Sequence, residues 1–418
     1  MNKNNYSTNC KGIGGQIKRR YTDFVVEEVT PSGRTCDVKR FIGEYDWEKH
    51  ESGLKIPKRK DEEQIYLDLE KINKDLNFCI SRISRFLQCS KKRIGYAGLK
   101  DKRAVTCQRI SIFDPNLERL AMFSSRGIDL RNPKWGDERV EIGNLSGNKF
   151  TIIIRDLDLD EKEIKKRIKE FFSEIKKKGI ANFFGEQRFG GVRKITHLVG
   201  KEFVTGHPEK AIMLYLTATF PREDDDIKTA RLELAKSGDF STASKEFPVK
   251  FRYERAIIHY LCKSPKDFVG AFRELPKALR YLFTHAYQSY LFNQIISERL
   301  ALGWGLKKVK GDILLNDQPS APLFGFESTF TEGEPGEIEK AVLEKEGISF
   351  KNFKVKEMPE LSSKGARREI ILQPQNLKLL ETGEDEFYEG KRFAKISFEL
   401  KKGSYATTVL RELMKVEE

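Results

Sequence analysis

One carboxylate stands among three cations near the middle of residues 93–113. Asp101 is flanked by Lys100, Lys102 and Arg103. Because opposite charge favours the anion, Asp101 is expected to be ionised. An ionised carboxylate can act as a nucleophile in covalent catalysis. A charged surface turn is the other interpretation, and charge alone favours it.

Two short strands are expected to hold Asp101 on the loop that joins them. Ile94, Tyr96 and Ala97 form one apolar stretch. Residues 109–113 alternate between polar and apolar side chains, which is typical of a half-buried strand. A rigid scaffold often presents functional residues on such a loop.

Other segments predict the elements around these two strands. Apolar residues at helical spacing in 75–87 predict a helix that packs under the sheet. Residues 138–143 and 149–156 resemble a hairpin, and a helix follows that Gly179 ends. Residues 394–400 alternate as a further strand.

A second segment, residues 181–191, combines three phenylalanines with glycines and amide side chains. Phenylalanines in a loop are costly to expose to water. They therefore either pack as a small core cluster or form a surface on which a planar ligand stacks. Composition alone favours packing.

The composition indicates a polyanionic partner. The chain has 418 residues, enough for two or three domains, and a formal net charge of +14. An excess of Lys and Arg suits contacts with phosphate. General solubility is the alternative, but 29 Phe and 13 Tyr can supply stacking faces, which favours nucleic acid.

The sequence predicts neither a metal nor a cofactor. None of the six cysteines forms a C-x-x-C pair, and five histidines are few for a zinc site. No P-loop or convincing dinucleotide fingerprint occurs. Asp156, Asp158 and Asp160 do not continue as an EF-hand and instead suit the start of a helix.

The chain is expected to be cytoplasmic and to have no membrane span. The first fifteen residues lack an apolar signal region, and no run of about 18 apolar residues occurs. Dispersed cysteines in a chain of this length are typical of reduced thiols.

The segment around Asp101 resembles the active-site motif of the TruD family of pseudouridine synthases. The family pattern Gly-x-Lys-Asp-x-x-Ala-x-Thr-x-Gln is matched at Gly98, Lys100, Asp101, Ala104, Thr106 and Gln108. Residues 182–190 are similar to the family pattern N-x-F-G-x-Q-R-F-G, and residues 403–413 to its C-terminal G-S-Y-A-T-x-V-L-R-E-L. The resemblance spans about residues 18–413.

This resemblance implies a catalytic role for Asp101 as the nucleophile. It also implies substrate-binding roles for Lys18, which lies near the active site in the family, and for Lys100. Lys18 would hold Asp101 anionic or contact phosphate. From the residues alone, Lys18 is an ordinary surface lysine in a basic stretch.

The resemblance further implies that Asn182, Phe184 and Tyr405 bind the substrate. Phe184 would stack on a flipped uracil and Asn182 would hydrogen-bond in the pocket. The implied reaction converts a uridine of tRNA, uridine 13, to pseudouridine. It needs no cofactor. The oligomeric state stays open, with a monomer as the default expectation.

The predicted fold is α+β. A catalytic domain of residues 1–200 and 366–418 would carry a mixed, largely antiparallel sheet with helices. An inserted α/β TRUD domain would span residues 201–365.

Two other functional classes fit parts of the sequence. A metal-dependent nuclease needs several convergent carboxylates, whereas the central motif has only Asp101. A non-catalytic RNA-binding protein of the same fold would share the charge and the aromatics. The intact Lys100–Asp101 pair argues against that alternative, and a product assay on RNA separates all three classes.

If the excess positive charge binds phosphate, affinity for RNA should fall steeply with salt. The expected log–log slope is about −0.7 to −0.9 for each phosphate neutralised. Binding titrations of tRNA between about 50 and 200 mM monovalent salt would measure it. A flat response would show that the basic surface is not the binding face.

Overall fold

The computed structural model of the chain describes residues 6–42, 53–59, 61–191, 193–221 and 223–416. Its strands are β1 Gln16–Ile17, β2 Phe24–Val29, β3 Gln64–Ile72, β4 Ile94–Tyr96, β5 Val105–Phe113, β6 Ile128–Gly136, β7 Gly147–Leu157, β8 Ile180–Ala181, β9 Leu314–Leu315, β10 Gln318–Leu323, β11 Ala366–Glu369, β12 Ile371–Leu372, β13 Gln375–Glu384 and β14 Arg392–Lys401.

Helices occupy much of the rest of the described chain. They are α1 Leu76–Phe86, α2 Leu117–Ala121, α3 Glu161–Lys178, α4 Thr196–Val204, α5 Pro208–Thr217, α6 Asp225–Ser237, α7 Phe240–Glu246, α8 Arg252–Lys263, α9 Phe268–Arg273, α10 Lys277–Ala301, α11 Glu334–Glu346 and α12 Ala406–Met414.

The first of two compact units comprises Thr8–Gly179 and Gln373–Glu418. Its sheet has the strand order β13-β14-β7-β2-β5-β3-β6, with β1 paired to β7 and β4 paired to β5. Each described pairing in this sheet is antiparallel, except that β2 and β5 run parallel. The predicted α+β class with a mixed, largely antiparallel sheet is confirmed.

The C-terminal residues complete this sheet. Strand β14 pairs with β7 along almost its whole length, between Arg392↔Leu157 and Lys401↔Gly147. The guanidinium of Arg155 binds the carboxylates of Asp23 at 2.8 Å and Asp385 at 3.2 Å, with all three side chains buried. A buried cation and two buried anions therefore join the N-terminal and C-terminal parts of the unit.

The predicted strands on either side of Asp101 are present. In the antiparallel pair of β4 and β5, Ile94 lies opposite Ile112 and Tyr96 opposite Ile110. Gly95 is required between them, because an added Cβ would lie 2.4 Å from the carbonyl oxygen of Val140. Residues 97–104 form the loop that carries Asp101.

The predicted helices and the C-terminal strand are also confirmed. Helix α1 begins after Asp75, whose carboxylate accepts from a main-chain N–H of the first turn, and its apolar face packs against β3. Helix α3 begins after Asp160 and ends at Gly179, which has φ +68°. Glycine suits this left-handed position because it has no Cβ.

The predicted hairpin is wrong in its first strand. Residues 138–143 form no strand, and β7 pairs with β2 and β14 instead. The guanidinium of Arg139 donates to the carbonyls of Lys92 and Ile94, and the N–H of Val140 donates to the hydroxyl of Ser111. These bonds direct the segment onto β4 and β5 rather than alongside β7.

The second compact unit comprises residues 180–372 together with N-terminal residues up to Ser7. Its core is built from helices α4 to α10, and it carries two small sheets, β11-β10-β9 and β12-β8. This unit extends beyond the predicted 201–365 at both ends, and Val199 of α4 packs into its core. The predicted domain borders stay a prediction. Which unit is the catalytic domain and which the inserted one stays a prediction.

None of the helices in the described part of the chain combines the length and apolar character needed to cross a lipid bilayer.

Candidate active site

The structure brings Lys18 next to Asp101. The ammonium nitrogen of Lys18 lies 3.6 Å from Oδ1 of Asp101, and the two side chains are 17% and 31% exposed. The same ammonium lies 4.0 Å from the centre of the Phe24 ring. Lys18 is thus held between an aromatic face and the carboxylate, while the carboxylate keeps access to solvent.

Lys18 also has an unusual backbone conformation. Its φ is +62°, in the left-handed region that favours glycine. Such a conformation in a non-glycine residue costs of order 1–3 kcal/mol and occurs preferentially at functional sites. The surrounding structure holds Lys18 in this conformation beside Asp101.

Lys100 points inward rather than toward solvent. Its ammonium lies 2.7 Å from Oε2 of Glu28, and the two side chains are 5% and 0% exposed. The other oxygen of Glu28 accepts from the N–H of Arg109. Lys100 therefore compensates the buried Glu28 carboxylate of β2. To contact Lys100 as predicted, the substrate would have to reach its ammonium in this buried position.

Buried polar groups also fasten the loop 97–104 to the sheet. The amide nitrogen of Gln108 donates to the carbonyl of Gly98 at 2.9 Å. The ammonium of Lys71 donates to the carbonyl of Asp101 at 2.8 Å. The carbonyl of Ala97 accepts from the N–H of Gly143. The loop therefore presents the Asp101 carboxylate from a main chain that is held at several points.

Sequence reasoning missed Lys71 and Glu28. A signal for Lys71 exists, because the alternation of β3 places it on the same face as Leu67 and Leu69, both buried. A lysine at an inward position of a strand is rare unless it has a partner. The signal for Glu28 is weaker. Every residue of Phe24–Val29 except the last is buried, so alternation along this strand does not mark Glu28 as the inward-facing residue.

Asn182 and Phe184 lie in the second unit. The amide nitrogen of Asn182 donates to the carbonyl of Glu369 at 2.8 Å, and its oxygen accepts from Arg368 at 2.6 Å. Both ends of the Asn182 amide are therefore already engaged. Its remaining capacity for a ligand is the second N–H of the amide and a second lone pair on the oxygen.

The Phe184 ring is nearly covered. It is 5% exposed, and it packs edge-to-face on Phe292 at 5.5 Å between ring centres. The guanidinium of Arg368 lies 4.2 Å from the ring centre. The side chain of Asn293 on α10 hydrogen-bonds both the N–H and the carbonyl of Phe184. Sequence reasoning identified neither Arg368 nor Asn293 as part of this cluster.

Tyr405 lies in the same unit as Asp101. It is half-buried and stands at the start of α12, where its carbonyl accepts from the N–H of Thr408. The structure thus gives Tyr405 a place in a turn between β14 and α12.

Throughout the described ranges, no three or more His, Cys, Asp or Glu side chains form a group that could hold a metal ion.

An α+β fold with a mixed sheet and a lysine-paired aspartate on an anchored loop agrees with the pseudouridine synthase class that the motifs indicate. The sequence profile of the family described as tRNA pseudouridine synthase D (TruD) matches residues 1–320 and 315–413. The chain belongs to the TruD family.

Relatives match over nearly the whole chain. A protein of Methanococcoides burtonii named "Probable tRNA pseudouridine synthase D" is 39% identical over 99% of this chain and 95% of its own length. A protein of Methanocaldococcus jannaschii, named "Probable tRNA pseudouridine synthase D 1", is 37% identical over 99% of this chain and 98% of its own. The crystal structure assigned to TruD from Methanosarcina mazei is 37% identical and gives a TM-score of 0.79 over 99% of this chain and 96% of that one.

Lys100→Met should destabilise the protein. The substitution leaves the Glu28 carboxylate buried without its cation, which costs about 3–5 kcal/mol in the free energy of unfolding. Replacing both residues, as in Lys100→Met with Glu28→Leu, should recover most of that loss. Denaturant unfolding would measure both effects.

The control is Lys102→Met, which removes an exposed lysine from the same loop. Its effect should stay within about 0.5 kcal/mol. If Lys100→Met unfolded at the wild-type denaturant concentration, the buried pair would contribute nothing, and Lys100 would be available to substrate.

Proposed function

We propose that this protein converts uridine 13 of tRNA to pseudouridine, with Asp101 as the catalytic carboxylate. The observation that carries the proposal is the Asp101 loop, in which a partly exposed carboxylate lies beside Lys18 within the family's active-site motif. Membership of the TruD family supports the reaction class, an isomerisation within the tRNA.

The chemistry requires only groups of the protein. The bond between N1 of uracil and C1′ of ribose breaks, the base turns, and C5 joins C1′ while the proton on C5 is lost and N1 gains one. No electrons leave the substrate and no group passes to another molecule. Asp101 would act on either the sugar or the base, and in both cases the ionised carboxylate is the reactive form.

Lys18 would hold the Asp101 carboxylate in position. The Lys18 ammonium, 3.6 Å from Oδ1 of Asp101, attracts the carboxylate and would help to orient it. Because the Lys18 side chain also contacts Phe24, it is positioned without needing the substrate.

The base would be bound after leaving its stack, at an unstacking cost of a few kcal/mol. We assign this role to the cluster of Asn182, Phe184 and Arg368. Arg368 lies over one face of the Phe184 ring, so a base would stack on that face only if the guanidinium moved, or it would stack on the guanidinium itself. Proteins use both kinds of surface for splayed RNA bases.

Asp101→Asn should abolish product formation and change the Kd for tRNA by no more than a few-fold. The amide has nearly the same size but cannot act as an anion. Release of tritium from tRNA labelled at C5 of uridine measures the reaction, because C5 exchanges its hydrogen for carbon. Asp158→Asn, an exposed carboxylate paired with Lys391, is the control and should keep full activity.

The same assay tests which uridine of the tRNA is modified. It also tests the alternative that the protein binds RNA without catalysing a reaction. A tRNA in which uridine 13 is replaced by cytidine should release no tritium, and tRNA from cells lacking the gene should have unmodified uridine at that position. Turnover by Asp101→Asn would remove Asp101 from the chemistry. Tight tRNA binding by the wild-type protein without product would instead favour a non-catalytic RNA-binding protein of the same fold.

Phe184→Ala should lower both stability and catalysis. Burial of the ring predicts a loss of about 3–5 kcal/mol in the free energy of unfolding. Loss of base stacking predicts a further decrease in single-turnover rate for the folded fraction, equivalent to roughly 1–3 kcal/mol. Phe184→Tyr keeps the ring face and should restore much of the rate.

Phe203→Ala provides the comparison for packing alone, because Phe203 is buried against Phe272 in the same unit. It should lose stability while its folded fraction turns over normally. If Phe184→Ala behaved like Phe203→Ala, then Phe184 would be a core residue and not part of the base pocket.

A further inference from the structure

A fully buried lysine lies beneath the Asp101 loop. Lys71 on β3 has no exposed surface and pairs across the sheet with Thr106 of β5. Burying an ammonium is costly unless it is paired or hydrogen-bonded. The presence of Lys71 in this position therefore needs a physical reason.

The contact of Lys71 supplies that reason. Its ammonium donates to the main-chain carbonyl of Asp101 at 2.8 Å. The charged and titratable groups that act on it come from two elements: Asp75 and Cys79 from the start of α1, and Asp101 and Lys100 from the loop. Burial raises the pKa of the Cys79 thiol to about 12, so this thiol stays protonated near neutral pH.

We propose that Lys71 is a positioning residue that fixes the Asp101 loop, so that the carboxylate is presented to the substrate in its reactive geometry. This inference rests on the proposed function of Asp101. Lys71 does not touch the substrate, because its side chain is enclosed by the protein. It acts through its hydrogen bond to the main-chain carbonyl of Asp101.

The charge of Lys71 should be sensitive to moderately alkaline pH. Burial lowers the pKa of Lys71 from 10.5 to about 8, against the opposing attraction of Asp101 and Asp75. Above that pH the neutral amine donates a weaker hydrogen bond than the ammonium. The hold on the Asp101 loop should therefore weaken as pH rises above about 8.

Stability should change in the opposite direction. Because the pKa of Lys71 is lower in the folded state than in the unfolded state, the unfolded chain binds more protons between about pH 8 and 10.5. The contribution of Lys71 to folding stability thus rises with pH over this interval. This rise in stability is expected whatever the role of Lys71, so only a decrease in activity over the same interval of pH indicates a positioning role.

The test compares wild type with Lys71→Met in single-turnover reactions on tRNA. Lys71→Met should lower the rate about 10²-fold, the scale of a misplacement of about 1 Å, and leave the Kd for tRNA unchanged. The wild-type rate should fall above about pH 8, and this decrease should be absent from the variant. Lys74→Met, which removes a half-buried lysine lying over Phe78, is the control and should retain both rate and pH profile.

A second variant keeps the inference testable if Lys71→Met folds poorly. Lys71→Ala removes the side chain beyond Cβ, a loss that propylammonium matches in size, and the added cation should restore part of the rate. Methylammonium is too short to reach the carbonyl of Asp101 and should restore less.

The outcomes separate this inference from the proposed function. If wild type is active and Asp101→Asn is inactive, a Lys71→Met rate within about three-fold of wild type would overturn the positioning role alone. So would a deficit that lies in the Kd for tRNA, or an alkaline decrease that persists in Lys71→Met. A wild-type protein that forms no pseudouridine would overturn the proposed function and this inference with it.

Discussion

Three neighbouring strands each direct one buried polar side chain at the loop that carries Asp101. Glu28 of β2 binds the Lys100 ammonium, Gln108 of β5 binds the Gly98 carbonyl, and Lys71 of β3 binds the Asp101 carbonyl. A buried polar group without a partner costs about 1–3 kcal/mol, so each side chain and its loop group require one another. The position of the Asp101 carboxylate thus depends on satisfying groups that solvent does not reach.

The sheet order explains how these three side chains converge. Strand β5 lies between β2 and β3, parallel to the first and antiparallel to the second. Adjacent strands lie about 4.8 Å apart, which places side chains from all three strands within reach of one short loop. Strand β7 supports β2 from its other side, and β14 supports β7. The position of the Asp101 loop therefore depends on strands from both ends of the chain.

Periodicity predicted much of this arrangement. The helix after Asp75 and the strands around Asp101 were predictable because their apolar faces are local patterns. Residues 138–143 were predicted wrongly because Arg139 binds carbonyls of another segment, and no local pattern records that contact. The partner of Lys100 stands 72 residues away, so sequence spacing could not identify it. The motifs indicated which residues near Asp101 are candidates for function. The structure added the hydrogen bonds and the ion pair that hold those residues in place.

The pairing of β14 with β7 has a consequence for how the chain is made. Strand β7 ends at Leu157, whereas its partner spans Arg392–Lys401. At typical rates of translation, β7 waits on the order of 10–50 s on the ribosome before β14 emerges. During that time one edge of β7 lacks its partner, and open strand edges promote association with other chains. Residues 180–372 are synthesised within the same interval, so the helical unit can fold while the sheet is still incomplete.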